Sequence, residues 1–302
     1  MPYGGPVLLR SSSILLFALA LASCSATRLA YDNVDWLIDR RVKEYIAFTP
    51  SQRERWEMEL ERAHALHRHI ELPKVVGLLT AIEAVTLDGV DEATLHCLAQ
   101  EAHALLRRHG RIAVELGAPL LAGLEPAQLD NLEAAMAEGN EEYRDKYLAE
   151  DPQQRQKARV HRILERITRW TGPLTREQQA MVEADVAAMP DLAQFWFDYR
   201  RNRQDRLLEL LRSGAGIEEV VTFLSGWWVD GADRPGALVR ATQEIRADFV
   251  AMLVRLYDTM EPERRRSTAL RIGELRTDLA SLTSGPASLL AGACRGTPMV
   301  AR

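Results

Sequence analysis

The stretch Phe48-Thr49-Pro50-Ser51-Gln52 has the form of a helix start, and the chain contains four starts of this kind. A Thr hydroxyl can accept a hydrogen bond from the backbone N–H three residues on, and a Gln side chain there can reach back to the Thr N–H. This capping box satisfies backbone donors that the first turn of a helix leaves open. The other copies occupy 124–128, 174–178 and, in degenerate form, 260–264. The predicted helix-start residues are Thr49, Gln52, Glu125, Gln128, Thr175 and Gln178.

The spacing of the four copies indicates a repeated unit. They begin at residues 48, 124, 174 and 260, so gaps of 76, 50 and 86 residues separate them, as expected if a unit with two motifs has been duplicated. We therefore predict two related helical halves, 33–171 and 172–281, divided near Thr171-Gly172-Pro173. The alternative is that each capping box arises locally, as it can in any helical protein.

The rest of the chain predicts an all-α, multi-helix bundle. Apolar residues recur at helical spacing, and no segment shows the sustained alternation of a strand. Helices are predicted at 33–47, 50–71, 73–86, 91–118, 126–149, 153–170, 176–188, 191–212, 217–229, 237–259 and 262–281. Residues 282–302 have the composition of a flexible tail.

The N-terminal residues have the pattern of an export signal. Arg10 precedes a short apolar run at 14–21, which ends in Leu21-Ala22-Ser23-Cys24. These four residues resemble the lipobox of bacterial lipoproteins. The resemblance implies a signal peptide at 1–23, lipid such as palmitate on the thiol and amine of Cys24, and a short lipidated tether at 24–32. The alternative is an ordinary secretory leader that leaves a soluble periplasmic protein.

The residue after the lipobox bears on location. Ser25 stands where Asp retains enterobacterial lipoproteins in the inner membrane, so the resemblance implies the periplasmic face of the outer membrane. A tether this short would hold the first helix, 33–47, beside the bilayer. Trp36 and Tyr31 could touch the interface, but we expect both aromatic side chains to pack in the core.

The composition argues against a nucleic-acid partner, and it does not decide by itself whether the two remaining cysteines form a disulfide. Without the leader, 279 residues carry 37 basic and 43 acidic side chains, a net charge of −6. No basic surplus exists to displace counterions, so nucleic acid is not an expected partner. Cys97 and Cys294 could pair in an oxidising periplasm. Because Cys97 lies in an apolar helix stripe and Cys294 in the tail, we expect no structural disulfide.

Two family resemblances rest on the motifs. The sequence at 174–178 fits the Leu-Thr-x-x-Gln motif of periplasmic stress chaperones and Cpx-pathway regulators, and 48–52 fits it with Phe in place of Leu. Those proteins are about half as long, so the resemblance implies a chaperone-like binding role without fixing it. The order lipobox, Arg28-Leu29-Ala30-Tyr31, Trp36, the motif at 49–52, His67-Arg68 and Glu71-Leu72-Pro73 resembles an uncharacterised proteobacterial lipoprotein family, domain of unknown function 6279.

One helical segment is a candidate recognition face. Residues 195–206 are rich in aromatic side chains and arginines, which dominate interface hot spots. The candidate residues are Trp196, Tyr199, Arg200 and Arg203. We prefer the other interpretation, a core helix whose arginines pair with the abundant acidic residues.

No residue set predicts catalysis or a cofactor. His64 and His67 share a helix face but lack a clear third ligand, so we predict neither a metal site nor any cofactor beyond the lipid on Cys24. No nucleophile elbow, P-loop or metalloprotease motif is present. The sequence favours a non-enzymatic, membrane-anchored lipoprotein that binds another envelope protein or an unfolded client. The alternative is a peptidoglycan-acting enzyme.

Overall fold

The computed structural model describes residues 26–286 and Cys294. It is 83% helical, with eleven helices and no strand among the described residues, which confirms the all-α prediction. Cys24 and Ser25 lie outside the described residues, as do 287–293 and 295–302. None of the helices in the described part is both long and apolar enough to cross a bilayer.

From residue 34 to the end of the continuously described part at 286, eleven α-helices and two π-helical segments follow one another. The helices are α1 Val34–Lys43, α2 Pro50–Leu66, α3 Leu72–Asp88, α4 Glu92–Ala122, α5 Pro126–Tyr147, α6 Pro152–Thr171, α7 Arg176–Ala188, α8 Ala193–Arg212, α9 Ile217–Leu224, α10 Gly236–Asp258 and α11 Pro262–Ala280. The first π segment is His67–Glu71 and the second is Ser225–Asp230. Residues 26–32 are helical as well.

The first π segment corrects a predicted break. Pro73 was expected to open a new helix, but α2, the first π segment and α3 form one continuous helix from residue 50 to 88. The backbone N–H of Leu72 donates to the carbonyl of His67, five residues earlier. Proline has no N–H to donate, and the wider π turn accommodates its ring within the helix.

The helix starts at 49, 125 and 175 have the predicted capping contacts. Gln52 Oε1 accepts from the Thr49 N–H at 3.0 Å, and Gln178 Oε1 accepts from the Thr175 N–H at 3.0 Å. Gln128 Oε1 accepts from the N–H of Glu125 at 2.9 Å. All three glutamines are buried, although a capping side chain at a helix start usually faces water.

Their burial has a reason that the sequence did not reveal: the motifs pair. Gln52 Nε2 donates to Gln128 Oε1 at 3.1 Å and to the Gly123 carbonyl at 2.9 Å. Gln128 Nε2 donates to Gln52 Oε1 at 2.7 Å and to the Ala47 carbonyl at 2.5 Å. We call the paired side chains of Gln52 and Gln128 the glutamine clasp. Ala47 and Gly123 each stand directly before a motif, so the two halves of the clasp are related by a local two-fold arrangement.

The third and fourth copies pair in the same manner. Gln178 Nε2 donates to the carbonyl of Thr259 at 3.2 Å, and Arg264 donates to the carbonyl of Pro173. Thr259 and Pro173 stand directly before the fourth and third motifs, as Ala47 and Gly123 stand before the first two. The pairing therefore follows the predicted two-motif unit, first with second and third with fourth.

The predicted halves share one core. The largest cluster of buried side chains joins Val114, Leu121 and Leu132 from the first half to Leu207 and Leu224 from the second. The helices α3 and α11 also pack together across the boundary, where Arg276 Nε donates to Glu83 at 2.7 Å.

The prediction of no structural disulfide is wrong. Cys97 on α4 and Cys294 form a disulfide whose Cα atoms lie 5.5 Å apart. Cys294 is buried in a cluster with Leu78, Val85 and Leu98, so the apolar stripe around Cys97 covers the bond. The described end of the tail also contacts the body, because Ser284 donates to the Arg68 carbonyl at 3.3 Å.

Candidate functional site

An apolar cavity of about 660 Å³ lies between α1, α2, α4 and the second π segment. On α4 its lining residues recur every three or four positions, which places them on one face of the helix. They are His109, Ile112, Ala113, Leu116, Gly117, Leu120 and Leu121. The twelve steps of 1.5 Å from His109 to Leu121 make the lined stretch of α4 roughly 18 Å long, so the cavity is elongated.

The helix α1 forms one wall and is weakly held. It contains no buried residue, although Val34, Ile38 and Val42 line the cavity. Its attachment centres on Asp39, whose Oδ1 accepts from Trp56 Nε1 at 3.2 Å. Val42 packs against the main core cluster, but no side chain of α1 is buried, so few apolar contacts hold the helix in place.

The outer surface of α1 corrects an expectation from the sequence. Trp36 was expected in the core but is 55% exposed, and Leu37 is 44% exposed. Leu29, just before α1, is 66% exposed. Tyr31 is half-buried as expected, because its ring packs edge-on against His64 with centroids 5.2 Å apart.

Both π segments border the cavity. His67 comes from the first, and Trp227 and Trp228 come from the second. The second segment approaches α4 closely at Gly110, where a Cβ would lie 3.3 Å from Val229 Cγ2 and 3.4 Å from the Trp228 carbonyl oxygen. π-Helical turns occur frequently at functional sites, and here two of them deliver side chains to one cavity.

One end of the cavity, the histidine end, consists of Tyr31, His64, His67 and His109. The Tyr31 hydroxyl lies 2.8 Å from His67 Nδ1, and His67 Nε2 lies 3.1 Å from His109 Nε2. Burial, and then the neighbouring His109, lowers the pKa of His67 to about 4. Burial also lowers the pKa of His109. These two imidazoles are therefore uncharged at neutral pH and act as hydrogen-bonding groups.

One ring nitrogen of His64 lacks a hydrogen-bond partner among the described residues. This atom, Nε2, is buried, and the side chain lines the cavity. No three His, Cys, Asp or Glu side chains within 26–286 or at Cys294 are arranged to hold a metal ion.

The other end of the cavity lies near Ile46 and Leu121. The glutamine clasp holds this end, because the carbonyls that accept from it belong to Ala47, which directly follows Ile46, and to Gly123, two residues after Leu121. The helix-start motif that the sequence emphasised is thus a structural support for the cavity.

The buried carboxylate beside the histidine end is a structural ion pair. Glu71 accepts from Arg108 Nε at 2.7 Å and Nη2 at 2.5 Å, and from Lys74 at 3.0 Å. The hydrogen bonds from Arg108, followed by the one from Lys74, lower the pKa of Glu71 to about 2 despite its burial. Glu71 is therefore ionised and fully paired, unlike a general acid, which needs a raised pKa.

Two of the four candidate recognition residues, Tyr199 and Arg203, are buried, as expected for the core helix that the sequence favoured. Tyr199 donates to the Ala232 carbonyl at 2.8 Å. Arg203 is 2% exposed and donates to Asp233 at 2.6 Å, with its guanidinium 4.1 Å from the centre of the Phe223 ring.

The other two residues of that face contribute to the same packing. Trp196 and Arg200 are half-buried, the first below Arg234 and the second over Tyr143. The interpretation of a core helix with paired arginines describes this segment.

The described residues form an all-α fold with an elongated apolar cavity. The sequence comparisons identify its family: residues 44–224 match the family of unknown function DUF6279, and the chain belongs to it. The matched region includes α2, α4 and the glutamine clasp. No curated protein and no solved structure matches the chain.

Proposed function

We propose that this protein is a non-enzymatic binding lipoprotein of the bacterial envelope, which holds an apolar ligand in the cavity between α1, α2 and α4. The cavity carries the proposal, because its volume lies within the roughly 300–1,000 Å³ typical of ligand sites and its walls are almost wholly apolar. The proposal replaces the protein partner expected from the sequence with an apolar ligand, and it moves the binding site from residues 195–206 to the cavity.

The proposed location is the periplasmic face of the outer membrane, with a lipid on Cys24 as the anchor. The Cys97–Cys294 disulfide supports export, because such bonds persist in oxidising compartments. The exposed side chains of Leu29, Trp36 and Leu37 support a position beside the bilayer, since aromatic and aliphatic side chains favour the membrane interface.

The alternative of a peptidoglycan-acting enzyme has less support. A glycosidic cleavage by a single Glu requires a protonated carboxyl in a cleft. Glu71 is buried, but Arg108 and Lys74 keep it ionised. Incubation of sacculi with the mature protein is expected to release no muropeptides, and any release would favour the enzyme.

A variant pair tests the binding function. Ala113 lines the cavity yet is exposed, so Ala113→Trp places a ring in the cavity without displacing a core side chain. Leu106 lies on the same helix, is 66% exposed and is not part of the lining, so Leu106→Trp is the matched control.

The measurement is titration with Nile red, an uncharged apolar dye, followed by fluorescence. Wild type and Leu106→Trp should bind one dye per chain saturably, and Ala113→Trp should lose at least tenfold in affinity. Equal binding by both variants would contradict the assignment of the site.

A second candidate, a chaperone-like role, rests on the exposed apolar side chains of Leu29, Trp36 and Leu37. If these bind unfolded clients, changing all three to Ser should abolish suppression of client aggregation, whereas Ala113→Trp should leave it intact. The opposite pattern would assign client binding to the cavity.

A further inference from the structure

We propose that the ligand of the cavity is one extended acyl chain, with its polar head at the histidine end. This inference rests on the proposed binding function and specifies the chemical class of its ligand. Three observations carry it: the length of the cavity, its apolar wall, and the difference between its two ends.

The length fits a fatty chain. Carbon–carbon bonds of about 1.5 Å advance about 1.3 Å per carbon in a zigzag, so the roughly 18 Å between His109 and Leu121 holds about 14 carbons. The lining along this path is Ile112, Leu116 and Leu120, with Ile38 and Trp228 opposite.

The wall of the cavity does not suit an extended peptide. An extended peptide would bring N–H and C=O groups into a stretch of wall that offers them no partners. An acyl chain needs no hydrogen bond along its length.

The two ends of the cavity differ in polarity. At the histidine end, the Tyr31 hydroxyl and both ring nitrogens of His67 are paired within the cluster, whereas His64 Nε2 has no partner among the described residues. The far end presents Ile46, Leu121 and Leu132, and the polar lining residues nearest to it along the chain, Arg41 and Tyr45, hydrogen-bond to each other. An ester or carboxyl oxygen of the head can accept from an imidazole N–H, so the chain enters with its methyl end toward Ile46.

Two sources could supply the acyl chain. A fatty acid or phospholipid could enter from outside, or the lipid on Cys24 could fold back. Cys24 lies seven residues before Tyr31, at most about 25 Å along the chain, and the helical backbone of 26–32 shortens this distance. Both sources place an acyl chain in the same cavity.

Photocrosslinking with two fatty acids tests the orientation. One carries a diazirine beside the carboxyl group and the other carries it near the methyl end. In Cys24→Ala protein, mass spectrometry should find the first label on His64 or Ile112 and the second on Ile46, Trp56 or Leu121. Identical labelling patterns, or labels confined to Leu29 and Trp36, would overturn the proposal.

Comparison with the native lipidated protein identifies the source. At least tenfold weaker labelling of the lipidated form shows that its own acyl chain fills the cavity. Labelling within twofold shows that the site takes a diffusible lipid. Either result is accepted only if the labels map to the cavity residues and Ala113→Trp abolishes them; otherwise the proposal fails.

Competition against Nile red separates this inference from the proposed function. Affinity should rise about fourfold per methylene, from the burial of each CH₂, and level off near 14 carbons. Dye binding in the cavity without competition by any fatty acid would overturn the acyl-chain assignment alone. Absence of dye binding would overturn both proposals.

Discussion

Removal of one half of the glutamine clasp should cost far more than loss of an ordinary helix cap. In Gln128→Ala, the two hydrogen bonds to Gln52 and those to the Ala47 carbonyl and the Glu125 N–H disappear. Both glutamines are at most 7% exposed, so water does not readily replace the lost partners. At about 1 kcal/mol per bond, the four lost bonds should cost roughly 4 kcal/mol, compared with about 1 kcal/mol for a typical N-cap.

A double-mutant cycle isolates the contact between the two side chains. Gln52→Ala should cost a similar amount, and the double variant should cost about 2 kcal/mol less than the sum, because the two Gln–Gln hydrogen bonds are lost only once. The free energies of unfolding come from urea titrations followed by far-ultraviolet circular dichroism. Gln153→Ala, at an exposed position, is the control and should change stability by less than about 0.5 kcal/mol. A coupling below about 0.5 kcal/mol would refute the clasp.

Three further predictions concern the anchor, the disulfide and the histidine end. Cys24→Ala should abolish metabolic labelling with palmitate and release the protein from membranes; retention of both would contradict lipidation. Cys97→Ser with Cys294→Ser should lower stability by up to about 5 kcal/mol, because the bond closes a loop of 197 residues, and an unchanged urea midpoint would argue against the bond. Lowering the pH from 6.5 to 4 should destabilise the wild type by roughly 2 kcal/mol through His67. The imidazole of the unfolded chain binds a proton over this pH range, whereas the buried imidazole of the folded protein stays largely uncharged until the pH reaches about 4. His67→Gln should flatten the urea-derived stability over that interval, and an unchanged slope would refute the lowered pKa.

The sequence predicted the helices well because their signals are local. Helical spacing of apolar residues, Pro at first turns and the Thr–Gln capping boxes depend on neighbours within one or two turns. The start of α7 at Arg176 and its end at Ala188 follow from such signals. The continuous helix through Pro73 was missed because a π turn has no comparable local signature.

The cavity could not be predicted because it depends on distant packing. The apolar stripe of α4 indicates a buried face, but whether α1 fills the space above it depends on how α2 and the second π segment hold the two helices apart. The hydrogen bond from Trp56 to Asp39 and the close approach of Val229 to Gly110 set that separation. The pairing of His109 with His67 could not be predicted, because the two residues lie 42 positions apart in the sequence.

The Arg203–Asp233 pair and the Cys97–Cys294 bond were missed for the same reason. An Arg-rich helix gives no sign of which guanidinium meets a carboxylate such as Asp233. Likewise, two cysteines 197 residues apart give no sign of their distance in space. Long-range pairing decided both outcomes.

Hydrogen–deuterium exchange with and without a saturating fatty acid tests the central claim, ligand binding in the cavity beneath α1, most directly. Because α1 has no buried residue, its amides should exchange quickly in the free protein. A bound chain gives Val34, Ile38 and Val42 an apolar partner, so exchange in α1 should slow at least tenfold, while α10, which contributes no residue to the cavity, stays unchanged. Unaltered exchange in α1 at saturating ligand would contradict the account.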